Sequence, residues 1–451
     1  SGTTGSIAMG SNTLSITQAA NAAYAGSITG TGSVVKTGSG TLTLNGAAGS
    51  FAPASLTIQQ GTVAATTQNN LASTLTVNIQ HDGALSLGAD QAITTLFGNG
   101  SLNLGTNVLT LSAGGTFSGQ IGGSGTVNLQ SGTFTLNNNG TSQSQNFTVN
   151  PDSVLNIAQG STVATNLLQV SHATLNLMGS VNTTTARFDG AIVQLGNGVD
   201  LDQSGATKGS ITATTTYVMG GSILRGNGSV TGQTIVGGQS AGTIAPGNSP
   251  GIMTFGDLNG PGAAGVAGGH DLIHVTGTLT LDGSSVLALQ KSLPASNYQI
   301  PLGTAVQIFD YAPGHVVGHF GSVTKTGHTP NLIFNLSDGT VVSLGNNTLA
   351  NLASATANAN LAAALGAMVV STNGDVPQYY GGSLLAPLLS SYGAGGAQAM
   401  NATFNRWAPG GYANMASQMQ TVTLQSLPEF GGYKHLAAGQ IIATGDIHSE
   451  Q

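Results

Sequence analysis

Short stretches of alternating apolar and polar residues recur along the first 350 positions. "GTLTLNG" (40–46), "ALSLG" (84–88), "SLNLG" (101–105), "GTVNLQSGTFTLNNNG" (125–140), "VLNIAQG" (154–160) and "ATLNLMG" (173–179) alternate with period two between Gly or Asn residues. Period two places every second side chain on one face, so each stretch predicts a short strand with one buried side. Strands this short are not stable alone in water, and almost none is joined to the next by a two-residue hairpin. Stacking solves both problems: if each coil lays its strands on those of the coil before, long parallel sheets close around an apolar column. The predicted fold is therefore all-β, a right-handed parallel β-helix, with Gly, Asn, Asp and Ser at the corners. A coil of roughly 20 residues gives about 15 to 18 coils over that stretch and a column of about 70 to 90 Å.

The pattern changes near residue 346. "NLASATANANLAAALGAMVV" (351–370) is rich in alanine, with Leu361, Leu365, Met368 and Val369 at helical spacing. "GGYANMASQMQTVTLQSL" (410–427) sets Tyr412, Met415, Met419 and Val422 on one helical face. A C-terminal α-helical segment is expected, and the chain divides into 1–241, 242–346 and 347–451.

Composition supports stacking. Only 5% of the 451 residues are charged, and 69 are glycine. In-register stacking would set like charges rung upon rung, whereas Thr, Asn, Ser and Gln can form hydrogen-bonded ladders. Hydrophobic residues make up 39% of the chain, enough for a core, which argues against disorder. The net charge is −7, and between residues 37 and 290 the only basic residues are Arg187, Lys208 and Arg225. No basic stripe exists to neutralise phosphates, so neither nucleic acid nor an anionic membrane is expected as a partner. The chain has no cysteine, which excludes disulfides and thiolate metal sites. The opening "SGTTGSIAMG" has no basic and apolar leader, as expected of a chain already processed or begun downstream of its signal.

Within "GTIAPGNSPGIMTFGDL" (242–258), Pro246 and Pro250 bias Ala245 and Ser249 toward extended backbone, while Gly247 and Gly251 permit reversals. The stretch Pro246, Gly247, Asn248, Ser249, Pro250 and Gly251 thus reads as a pre-shaped corner. Asp200 and Asp202 in "VDLDQSG" share one strand face, and Asp189, Lys208 and Arg225 would lie one or two coils away. This grouping is the basis of an alternative reading, a β-helix enzyme acting on extracellular polysaccharide. His270 and His274 are four residues apart, as are His315 and His319. With no thiolates and few carboxylates nearby they are not assigned a metal. Asp271 reads as a strand-opening residue. Trp407, near Phe404 and Met400, reads as a packing anchor and not a sugar platform. Neither a Gly-Asp-Ser-Gly nor a Gly-x-Ser-x-Gly nucleophile element is expected, and no protease or lipase nucleophile is assigned. No catalytic residue, metal or cofactor is expected.

"VVKTGSGTLTLNGAAGSFAPASLTIQQGTV" (34–63) resembles the passenger-associated repeat of bacterial autotransporters, carried by Lys36, Gly38, Gly40, Leu42, Leu44 and Gly46. The proline-glycine turn at 246–251, followed by "HDLIHVTGTLTLDGSSVLAL" (270–289) with Asp271, is similar to the autochaperone region of that family. "AQAMNATFNRWAPGGYANMASQ" (397–418) resembles the helical linker that precedes the membrane barrel, departing from it at Arg406 and Trp407. The resemblance implies export through the periplasm and outer membrane of a Gram-negative bacterium. It also implies a β-barrel translocator in cis, for which no series of ten-residue alternating strands is present up to Gln451. The function implied is a secreted or surface-displayed structural adhesin in aggregation, biofilm matrix or attachment. Its partners would be other copies of itself and host or matrix surfaces. Unprotected solenoid edges also permit growth into fibres.

Overall fold

The computed structural model describes residues 5–197, 205–238, 240–246, 252–255, 272–290, 302, 305–311, 314–326, 331–335, 339–345, 348–355, 361, 363, 369–371, 376, 378–379 and 385–407. Apart from Ala305–Gln307, the described strands from Ser6–Gly10 to Ser322–Thr326 form a parallel β-solenoid of about 12 turns. Each regular coil contributes one short strand to each of three sheets. In the coil from Thr162 to Leu177, residues 162–165 lie in sheet two and 167–171 in sheet three, both within the bent strand Thr162–Ser171. Thr174–Leu177 lies in sheet one.

Sheet one shows how the alternation becomes a core. Leu56, Val77 and Leu96 stack on successive coils, and so do Phe134, Leu155, Leu175, Val193, Leu224, Ile244, Leu287 and Val323. All of these are 0% exposed, so the inward parity of the sheet-one strands in these runs is buried completely. Each such aliphatic side chain contributes on the order of 1.5–3 kcal/mol by leaving water, which offsets the ordering of many short strands. Phe134 and Phe147 stack at 6.4 Å between ring centroids, filling the column where sheets one and three converge.

The expected 15 to 18 coils are too many. In sheet one, coils are 18 to 22 residues apart up to Ile192, as in Ser33 facing Ser55 and Thr174 facing Ile192. Ile192 next meets Ile223, and Thr243 meets Val286, so those coils take 31 and 43 residues. Insertions consume chain without adding height, and about 12 coils at ~4.8 Å give a column of about 55–60 Å.

A second compact unit comprises Tyr298–Gln307, Val317–His319 and Pro330–Gln451. Its sheet is mixed, with Asn331–Asn335 antiparallel to Thr340–Gly345 and parallel to Gln378–Tyr379. Helices span Leu349–Ala355 and Leu385–Trp407, the latter broken at Gly395 and Gly396. Val369, expected on a helix, lies in the strand Val369–Ser371, where the β-branched pair Val369 and Val370 is better accommodated. Residues 410–427 lie outside the described residues. No helix among those described is long and apolar enough to cross a membrane.

Candidate functional site

The outward side of sheet one carries the most varied chemistry. Here the in-register column runs Phe97, Thr116, Thr135, Asn156, Asn176, Gln194 and Arg225. Asn156 Nδ2 donates to Thr135 Oγ1 at 3.0 Å, and Asn176 Nδ2 donates to Asn156 Oδ1 at 2.9 Å. Polar ladders therefore do coat the outer face. The same device recurs at the corner of sheets two and three, where Thr184 Oγ1 donates to Asn166 Oδ1 at 2.8 Å. Phe97 is 39% exposed, and Ile192, in the neighbouring outward column, is 37% exposed.

At Arg225, which the next coil follows with Ala245, the column borders a corner with two exposed cations. The loop between Leu195 and Gly209 makes the first long coil, and Asn197 closes it. Asn197 Nδ2 donates to the Gly205 carbonyl at 2.8 Å, and the Thr207 N–H donates to Asn197 Oδ1 at 3.1 Å. The Asn227 N–H donates to the Leu195 carbonyl at 2.8 Å, and the Gly209 N–H donates to the Asn227 carbonyl at 3.1 Å. Arg225 and Lys208, both exposed, therefore flank one link between adjacent coils. Asp189 stands elsewhere, before Gly190 at the corner that leads from sheet three into sheet one, in register with Ser171 and Met219. Asp200 and Asp202 lie outside the described residues. Of the five charged residues grouped from sequence, the structure sets Lys208 and Arg225 on either side of one inter-coil link, Lys208 next to Gly209 and Arg225 two residues before Asn227.

The repeat-motif residues build the column from inside. Lys36 occupies an inward position, stacked between Ile16 and Ile58, and is 0% exposed. Its Nζ donates to the carbonyls of Gly38 (2.7 Å), Thr37 (3.0 Å) and Gln60 (3.2 Å). Burial lowers its pKa below the ordinary 10.5. Gly38 has φ of +77°, and a Cβ there would lie 2.3 Å from the Gln18 carbonyl oxygen. At Gly40 a Cβ would meet the Ala20 carbonyl at 2.4 Å. Leu42 and Leu44 point inward, and Gly46 is buried under Ser50.

Pro246 ends the strand Gly242–Pro246 and pairs in register with Gly226. Gly247, Asn248, Ser249, Pro250, Gly251 and Asp271 lie outside the described residues, as does His270. His274 Nδ1 meets Asp310 Oδ2 at 2.7 Å on the neighbouring coil, and His315 Nδ1 donates to the Gly277 carbonyl at 2.9 Å. Among the described residues no three His, Asp or Glu side chains converge on a metal position. Met400 and Phe404 are buried in the second unit. The side chain of Trp407 lies outside the described residues.

Two Gly-x-Ser-x-Gly strings, 238–242 and 247–251, do occur and qualify the assignment of no nucleophile. The first leads into a strand, not the helix that a nucleophile elbow requires, and Ser240 Oγ accepts from the Gly220 N–H at 2.8 Å.

A scan against protein-family models, a search of curated proteins and a search of solved structures each found no match for this chain.

Proposed function

We propose that this chain is a passenger of the autotransporter type, displayed on or released from the outer membrane of a Gram-negative bacterium, acting as a structural adhesin. The observation that carries this reading is the ladder coat: successive coils present the same hydroxyl and amide groups at ~4.8 Å intervals along a charge-poor column. Individually weak hydrogen bonds to a surface add along such a column by multivalency. The repeat resemblance at Lys36–Gly46 and the turn at Pro246–Gly251 support the secretion route, with a β-barrel in cis and, as partners, other copies of the chain and host or matrix surfaces.

The test compares cells that display the chain with cells lacking it, by settling in still culture and retention on a coated surface, together with electron microscopy of the purified protein. Faster settling or retention is expected, with a solenoid section about 55–60 Å long in the images. Unchanged settling and retention overturn the adhesive role.

A further inference from the structure

We propose that the outward side of sheet one, from Phe97 to Arg225, binds an extended carboxylated polysaccharide of the polyuronate class, lying along the coil axis. Four independent features meet on this one face. Two of the three exposed large hydrophobic side chains among the described residues, Phe97 and Ile192, belong to it; the third, Ile7, lies on the first coil. An exposed aromatic ring offers the flat apolar surface on which a sugar ring stacks.

Between them, Asn156 and Asn176 each spend one amide hydrogen on the ladder, leaving further donor and acceptor capacity for sugar hydroxyls. The repeat along the column is of the order of one sugar unit, so successive sugars would meet equivalent groups. Arg225, followed on the next coil by Ala245, presents an exposed guanidinium whose planar fork suits a carboxylate, and Lys208 adjoins the same inter-coil link through Gly209 and Asn227.

Among the described residues, charge is distributed to match. The outward positions of sheet one from Thr95 to Arg225 hold no acidic residue. Asp152 and Asp189 stand on the opposite border, at the corner by which each coil enters the sheet. A chain carrying carboxylates is thereby drawn toward one border, and a neutral glucan is not.

The inference names a ligand class for the adhesive role above, and its biological meaning rests on that reading. The binding itself is measured on the purified full chain, by affinity electrophoresis in gels containing alginate as the polyuronate or dextran as the neutral control. Retardation by alginate and not by dextran is expected, weakening as salt is raised. The double variant Arg225→Gln/Lys208→Gln should bind alginate at least about tenfold more weakly, and Phe97→Ser severalfold more weakly. Arg187→Gln, outward on sheet three, should bind like the parent. Circular dichroism of each variant must match the parent, so that lost binding is not lost folding. No retardation by alginate, equal retardation by dextran, or alginate binding unaltered in the folded double variant overturns the proposal. Failure here with intact cell settling removes only the ligand class. Alginate binding with unchanged settling and retention removes the adhesive role and leaves the site.

Discussion

The ammonium group of Lys36 donates to the carbonyl oxygen of Gln60, 3.2 Å away on the next coil, from a side chain that is 0% exposed. Through its bonds to Gly38 and Gln60 one side chain fastens two coils where an aliphatic residue would only fill space. Lys36→Ala should therefore remove the stem as well as the donors, destabilising the solenoid by about 3 kcal/mol or more. Lys36→Met keeps the apolar stem and removes a desolvated charge, and should cost about 1–2 kcal/mol. The Thr37 carbonyl keeps the Gln18 N–H as a second donor. Urea midpoints of the two variants should differ in that order.

The same burial gives a signed pH dependence. Lys36 has a folded pKa below 10.5, so between that lowered value and 10.5 the folded chain binds fewer protons at this site than the unfolded chain. Stability then rises with pH across this window, because the cost of holding a buried charge is relieved. Below the lowered pKa that cost is present in full. Subtracting the profile of Lys36→Met from that of the parent isolates the slope, which should be positive toward pH 10.5.

How much of this was legible follows from what period two encodes. The inward parity of "TLTL", "VLNI" and "TLNL" fixed the buried columns, and the low charge fixed the ladder coat. Parity also carried a signal at Lys36, which shares the inward phase of Val34 in "SVVKT". A lone cation at an inward position implies a polar niche, but only the stacked coils reveal which carbonyls form it. Coil number is not encoded in the alternation, because an insertion such as 197–208 leaves the pattern on either side untouched. Alternation also does not distinguish parallel from antiparallel pairing, so Asn331–Asn335 and Thr340–Gly345 read like any other strands. The placing of Arg225 and Lys208 on either side of one inter-coil link depends on register across that insertion, which spacing alone does not supply.

The ladder between Asn156 and Asn176 tests why the coat is neutral. A single Asn→Asp change at either position leaves an amide that can turn to donate, and should cost under about 1 kcal/mol. The double change sets two carboxylates one coil apart and should exceed the sum of the singles by about 1–2 kcal/mol. That excess should shrink in high salt and vanish below about pH 4, where the carboxyls protonate. Thermal or urea unfolding of the four proteins in the cycle measures it.

Asp282 should contribute to acid sensitivity. Burial by itself raises its pKa, but bonds from the Ser284 hydroxyl (2.7 Å), the Ser284 N–H (2.9 Å), the Gly238 N–H and the Ser285 N–H outweigh burial and hold the carboxyl below 3.8. A depressed folded pKa stabilises above the unfolded value, and the contribution is lost as pH falls from about 3.8 through the folded pKa. Asp282→Asn should remove that part of the acid slope, giving a flatter stability profile than the parent between about pH 4 and 2.

Two glycines with similar backbone angles separate conformation from close approach. Gly38 (φ +77°) and Gly49 (φ +68°) both occupy the left-handed region, but a Cβ at Gly49 would meet nothing within 4 Å. At Gly38 it would lie 2.3 Å from the Gln18 carbonyl oxygen, a backbone atom of the coil below that cannot withdraw without breaking the ladder. Gly49→Ala should cost only the conformational penalty, about 1 kcal/mol, and Gly38→Ala that penalty plus the displaced coil, about 3 kcal/mol or more. Equal urea midpoints for the two variants would mean that the coils at Gly38 are not packed backbone to backbone, and the tight stacking attributed to the Lys36–Gly46 motif would have to be abandoned.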